Sequence, residues 1–162
     1  MRRGLIVAGL LLVLAVVGLM IVQKERVLAS GLPIYLKLAP VDPRSLIQGD
    51  YMALRYAIES QAPQDELVSR GRIVIRLDER GVGWFVRLDD GTPLAAGESF
   101  LVYRKRGRLR LGAESFFFEE GQAARYSRAQ YALLMVAPSG DSVLVDLKGE
   151  NLEELPRLEK EK

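Results

Sequence analysis

The 162-residue chain contains no cysteine and no histidine. Without cysteine there is no disulfide, no thiolate nucleophile and no thiolate metal ligand. Without histidine, the usual general base near neutral pH and the commonest metal ligand are both missing. An excess of one charge is missing too. Lys and Arg total 23 against 21 Asp and Glu, for a formal net charge of +2. That balance gives no pointer to nucleic acid. No internal repeat or low-complexity block stands out, and the length suits one domain. Such a domain must be held by its apolar core alone.

Long hydrophobic runs are also absent, with one exception. Residues 4–22 read GLIVAGLLLVLAVVGLMIV, nineteen positions without a charge. As a helix this run is roughly 28 Å long, close to the hydrocarbon thickness of a bilayer. Arg2 and Arg3 favour a cytoplasmic N-terminus. Lys24 and Arg26 follow the run, so each flank carries two basic residues. A cleaved signal peptide is the alternative, but its apolar core is usually shorter and ends at small residues. Here Gln23, Lys24, Glu25 and Arg26 separate the run from Ala29-Ser30-Gly31. The expectation is an uncleaved single-pass anchor with its N-terminus inside the cell. Residues 1–3 are then cytoplasmic, 4–22 transmembrane and 23–31 a tether. Residues 32–148 form an extracytoplasmic domain, and 149–162 a charged, mobile tail.

The rest of the chain alternates with period two between turn signals. Residues 33–38 put Ile34, Leu36 and Leu38 on one face. Residues 59–69 read as a loop, with a helical turn at 65–68. Residues 71–77 put Ile73, Ile75 and Leu77 together. After a hairpin loop at 78–81, Val82, Trp84, Val86 and Leu88 point inward, with Phe85 and Arg87 outward. Asp89-Asp90-Gly91-Thr92-Pro93 is a turn; the rest of a calcium loop is absent. Residues 99–104 and 108–112 form a hairpin turning near Gly107, 122–130 hold a short helix, and 131–136 are a strand. Val143, Val145 and Leu147 return from a turn at 138–141. About eight short strands with one or two short helices predict a mainly β domain, a small barrel or sandwich.

The most informative stretch is 40–56, PVDPRSLIQGDYMALRY. Asp42 is placed to cap a helical turn that opens with Pro43. Leu46 and Ile47 give that turn an apolar side, and Gly49 can end it in positive φ. From Asp50 the period is two: Met52, Leu54, Tyr56 and Ile58 share one face, and Ala53, Arg55 and Ala57 the other. Tyr51 has the opposite parity to Tyr56. The pattern Gly49-Asp50-Tyr51-x-x-Leu54-x-Tyr56 resembles the motif that names the GDYXXLXY family of bacterial membrane-anchored proteins. The segment from Ala39 to Leu46, with Asp42, Pro43 and Arg44, is similar to that family as well. So is the run GAESFFFEEG at 112–121, with Glu114 and Glu119. The resemblance implies a single-pass anchor, an extracytoplasmic domain and association with multi-pass membrane proteins. It implies no activity.

The residues leave three readings open. In the first, the domain binds an integral membrane partner, using motif residues and aromatics whose parity takes them off the core: Tyr35, Tyr51, Phe85 and one of Phe116 to Phe118. Such aromatics also suit a second buried face. In the second, carboxylates among Asp42, Asp50, Glu114, Glu119 and Glu120 converge as an envelope enzyme's acid and base. Ser45-Leu46-x-x-Gly49-Asp50 faintly resembles a segment of type I signal peptidases. Their nucleophile motif is missing, however, its serine position falling on Val41. Lys37, Lys105 and Lys148 look solvated rather than neutral and buried, as a Ser–Lys dyad needs. In the third, Arg104, Lys105, Arg106, Arg108 and Arg110 contact lipid headgroups or an envelope polymer. The same five charges also suit a solvated strand that resists unwanted pairing. No cofactor and no metal are expected, and oligomeric state is left open.

Overall fold

A computed structural model describes residues 2–39, 47–48 and 51–156, and leaves out the side chains of 2–5, Ala8 and 47–48. The order is α1 (Arg2–Ser30), β1 (Leu32–Lys37), β2 (Ile47–Gln48), β3 (Tyr51–Ala53), a 3-10 turn (Ala57–Ser60), β4 (Arg70–Leu77) and β5 (Gly83–Leu88). There follow β6 (Glu98–Arg106), β7 (Arg108–Arg110), β8 (Ser115–Phe117), α2 (Ala123–Tyr126), β9 (Tyr131–Val136) and β10 (Ser142–Lys148). The fold is mainly β, as expected; the described residues add two strands the alternation did not suggest, β8, too short at three residues to show a period, and β2, which puts Ile47 in a strand instead of the expected helical turn.

Three antiparallel sheets share one core: β1-β9-β10, β2-β3-β8 and β5-β4-β6-β7. Bridges from Tyr35 to Val82 and from Leu38 to Tyr56 stitch the sheets into a half-barrel. Ile34, Leu36, Ile73, Ile75, Leu101 and Leu134 are fully buried at its centre. Ile34, Leu36, Ile73 and Ile75 come from the faces that alternation assigned to the core, and Val74, of opposite parity on β4, is buried as well.

Helix α1 is 29 residues, roughly 43 Å at 1.5 Å per residue. Its last turns dock on the domain, where Val27 is buried and Lys24 donates to the Ser142 carbonyl at 3.3 Å. The Gly31 amide extends the helix's own ladder to the Val27 carbonyl at 2.9 Å. A side chain at Gly31 would collide with that carbonyl and with the Val136 backbone. Among the described residues no helix is long and apolar enough to cross a membrane. Large apolar side chains from Ile6 to Val22 are exposed along α1.

Two bulges overturn the expected parity. The β4–β5 register slips between Val74 and Ile75, so Ile75 faces Phe85 while Ile73 faces Leu88. The extra residue, Val86, lets Phe85 and Leu88 both pack on the core. Trp84 pairs with Arg76 on the outer face and is 47% exposed; its indole N–H donates to Asp78 at 3.2 Å. It is no core anchor. On β10 the slip falls between Leu144 and Asp146, so Leu144 packs inward and Val145 is 44% exposed. The expected helical turn at 65–68 is replaced by a turn at 64–66 followed by irregular chain, and β3 ends at Ala53, well before Ile58. The first part of the expected tail is packed: Glu154 bridges Lys148, and Leu155 is buried in the core. Asp89 and Asp90 spend their carboxylates on the Gly91 and Thr92 amides and on Arg72 and Arg87, as a plain turn does.

Candidate functional site

The motif segment beyond β3 is clamped on both sides. The Leu54 amide donates to the Glu114 carbonyl at 2.8 Å, and the Ala39 amide to the Arg55 carbonyl at 2.8 Å. Met52, Leu54, Tyr56 and Ile58 are all buried, so the alternation continues past the strand. The Tyr56 hydroxyl donates to the Ala113 carbonyl at 2.5 Å. Burial first, then the charges of Glu114 and Glu59, push this phenol far above its usual pKa. It is a fixed neutral donor tying the motif to the loop before β8.

Directly after Tyr56 the chain turns, and Glu59 folds back. Its Oε1 accepts the Tyr56 amide at 3.1 Å, and its Oε2 lies 3.2 Å from Arg108 Nε. That second contact is an ion pair, with the N–H not aimed along it. Burial pushes the Glu59 carboxyl up, and the Tyr56 amide and Arg108 only partly offset this. A raised carboxyl suits a general acid. With both oxygens engaged and only 8% of the residue exposed, however, Glu59 joins the 3-10 turn to β7 and has little room for a reactant.

The outer side of the same sheet is aromatic. Tyr51 on β3 lies opposite Phe117 on β8, with ring centroids 5.7 Å apart. Phe117 is 74% exposed. Its neighbours Phe116 and Phe118 turn the other way and pack on Tyr126 at 4.9 and 5.2 Å. Phe117, Phe118, Glu119, Arg125 and Tyr126 line a shallow cleft. Of the aromatics expected off the core, Phe117 and Tyr51 are therefore the surface pair. Phe85 packs on the core, and Tyr35 is half-buried beside Gly81.

The basic hairpin does not form one patch. Lys105 turns in and donates to the Gln64 and Leu67 carbonyls at 3.0 and 3.2 Å. Arg108 is taken by Glu59, and Arg106 is exposed near the turn. Arg104 and Arg110 lie opposite each other, and the cleft they line also holds Lys24 and Arg70. Lys148 is buried rather than solvated. Burial pulls its pKa down, but Asp146 at 2.9 Å and Glu154 at 3.6 Å outweigh this and keep it a cation, unfit as a neutral base.

Asp42, Pro43, Arg44, Gly49 and Asp50 lie outside the described residues. Of the other motif positions, Leu54 and Tyr56 are core, while Tyr51 belongs to the surface pair. Glu114 and Glu119 serve different places. The Glu114 carboxylate accepts the Gly112 amide at 2.8 Å, whereas Glu119 lines the aromatic cleft. Sequence reasoning missed Glu59, although the spacing Tyr56-x-x-Glu59 is that of a carboxylate reaching back to a cap amide. It also missed Arg70 and Lys24, which only the sheet register and the docking of α1 bring beside the hairpin.

No curated protein and no solved structure matches the chain. A family model described as "GDYXXLXY protein" matches residues 13–147, most of the chain and all of the elements that carry the motif, its clamp and the aromatic pair. The chain therefore belongs to the GDYXXLXY protein family.

Proposed function

We propose that the chain is a membrane-anchored binding module, its β domain held on the extracytoplasmic side and docked to an integral membrane partner through the Tyr51–Phe117 surface. The observation that carries this reading is Phe117, 74% exposed beside Tyr51 while the rings on either side of it are turned inward. An exposed phenylalanine packed beside a tyrosine, next to a cleft lined by two further rings, is the aromatic composition that protein interfaces favour. The anchor rests on residues 4–22, nineteen uncharged positions, and on apolar side chains all round α1. A helix apolar on every side suits lipid or a protein interior, and α1 projects from the domain's core. Arg2 and Arg3 favour an N-terminus inside the cell.

Co-purification from neutral detergent tests the reading. The wild-type chain is expected to bring down a multi-pass protein, and Phe117→Ser to lose it while keeping the wild-type melting temperature. Equal recovery by both proteins, or recovery of nothing but the chain itself, counts against a partner at this surface. The carboxylate-enzyme reading has less behind it, because Glu59 is engaged at both oxygens and Glu114 and Glu119 are separated.

A further inference from the structure

We propose that the cleft at the foot of α1, lined by Lys24, Arg70, Arg104 and Arg110, binds a phosphate group. The register puts three arginines side by side on adjacent strands: Arg70 opposite Arg104 on β4 and β6, and Arg104 opposite Arg110 on β6 and β7. Like charges directly opposite one another destabilise a sheet. Four other arginines on this sheet are neutralised, Arg72 by Asp89, Arg76 by Glu98, Arg87 by Asp90 and Arg108 by Glu59, while Arg106 stands exposed at the hairpin turn. Among the described residues Arg70, Arg104 and Arg110 have no ion pair. Arg110 Nε is enclosed and makes no hydrogen bond.

A fourth cation arrives from the helix. Lys24 reaches over to the Ser142 carbonyl at 3.3 Å and lines the same cleft, a cavity of about 180 Å³. One acid is present, Asp141, and its carboxylate accepts the Ser139 hydroxyl at 2.9 Å. Four cations against one anion leave an uncompensated positive site. Guanidinium forks match phosphate oxygens in pairs, and a row of three supplies more donors than a carboxylate can accept.

Two sources carry this chemistry: a free phosphate, and the headgroup of an anionic phospholipid. Lys24 stands two positions beyond Val22, the end of the apolar run. With that run in a bilayer, the cleft opens at headgroup level. Only the lipid source rests on the proposed anchoring. Phosphate binding in detergent does not, and neither depends on Phe117.

The experiment titrates the purified full chain, in neutral detergent, with inorganic phosphate and separately with phosphatidylglycerol. Melting temperature and apparent Kd are read in wild type, Arg104→Gln, Arg110→Gln and the distant control Arg128→Gln. Wild type and Arg128→Gln are expected to melt higher with the anion. Arg104→Gln and Arg110→Gln are each expected to bind at least about tenfold more weakly. Without anion, Arg104→Gln should melt no lower than wild type, since it relieves a like-charge contact on each side. A response to phosphatidylglycerol alone assigns the lipid source, and a response to inorganic phosphate assigns a soluble one. No rise with either anion, or a rise that both glutamine variants retain, overturns the site.

Discussion

Tyr56 and Glu59 show how one short segment divides between scaffold and surface. Removing the Tyr56 hydroxyl leaves the Ala113 carbonyl buried and unpaired. Tyr56→Phe should therefore cost about 1–3 kcal/mol in denaturant unfolding; an unchanged midpoint would show that this bond holds nothing. Glu59 gives a pH signature. Its folded carboxyl is raised above the ordinary 4.5, so the folded state holds the proton more tightly than the unfolded chain. Its contribution is then most favourable below about 4.5 and is lost as pH rises through the window above that value. Asp89 and Glu98 run the other way. Backbone amides of Gly91 and Ala95, with Arg72 and Arg76 beside them, hold both carboxyls low, so their contribution is lost in acid. The difference between wild type and Glu59→Gln isolates the first effect. The glutamine variant should gain on wild type from pH 4.5 towards neutrality, and a difference flat with pH would contradict it. The inward parity of Leu54 and Tyr56 was legible because alternation is local. The burial of Glu59 was not, because its partner Arg108 comes from a distant strand.

Among the elements, hairpins were legible and bulges were not. Strand β9 falls on the expected residues, and the hairpins at Gly81, Gly107 and Gly140 turn where glycine takes positive φ. A bulge leaves no comparable mark. One added residue, Val86 or Val145, reverses parity for the remainder of the strand, which sent Trp84 outward and Leu144 inward. The stability ranking on β5 follows from this. A methyl group at Gly83 would press on Ile75 and Leu36 at 3.1 Å, so Gly83→Ala should cost about 1–3 kcal/mol. Trp84→Ala, at a half-exposed position, should cost less than about 1 kcal/mol. Urea titrations of the two variants decide it, and the reverse ranking would place the tryptophan back in the core.

At the scale of the whole molecule, α1 and the β domain meet at Val27 and Gly31, a junction without slack. If α1 lies in a bilayer, that junction fixes which face of the domain looks along the membrane. Leu12→Arg, in the middle of the apolar run, should disfavour insertion by about 2.5–3.5 kcal/mol. Alkaline carbonate washing should then leave the wild-type chain in the membrane pellet and release the variant; wild type released as readily would remove the anchor. The apolar run and the β class were open to reading from sequence. The exposed Phe117 was narrowed only to one of three consecutive phenylalanines, because a short strand's facing is set by its partner β3. The most direct measurement is photo-crosslinking in living cells from a probe at position 117, with Val145, another exposed apolar position, as control. A covalent adduct with a multi-pass membrane protein is expected from 117 and none from 145. The same adducts from both positions, or none from 117, would contradict docking through Phe117.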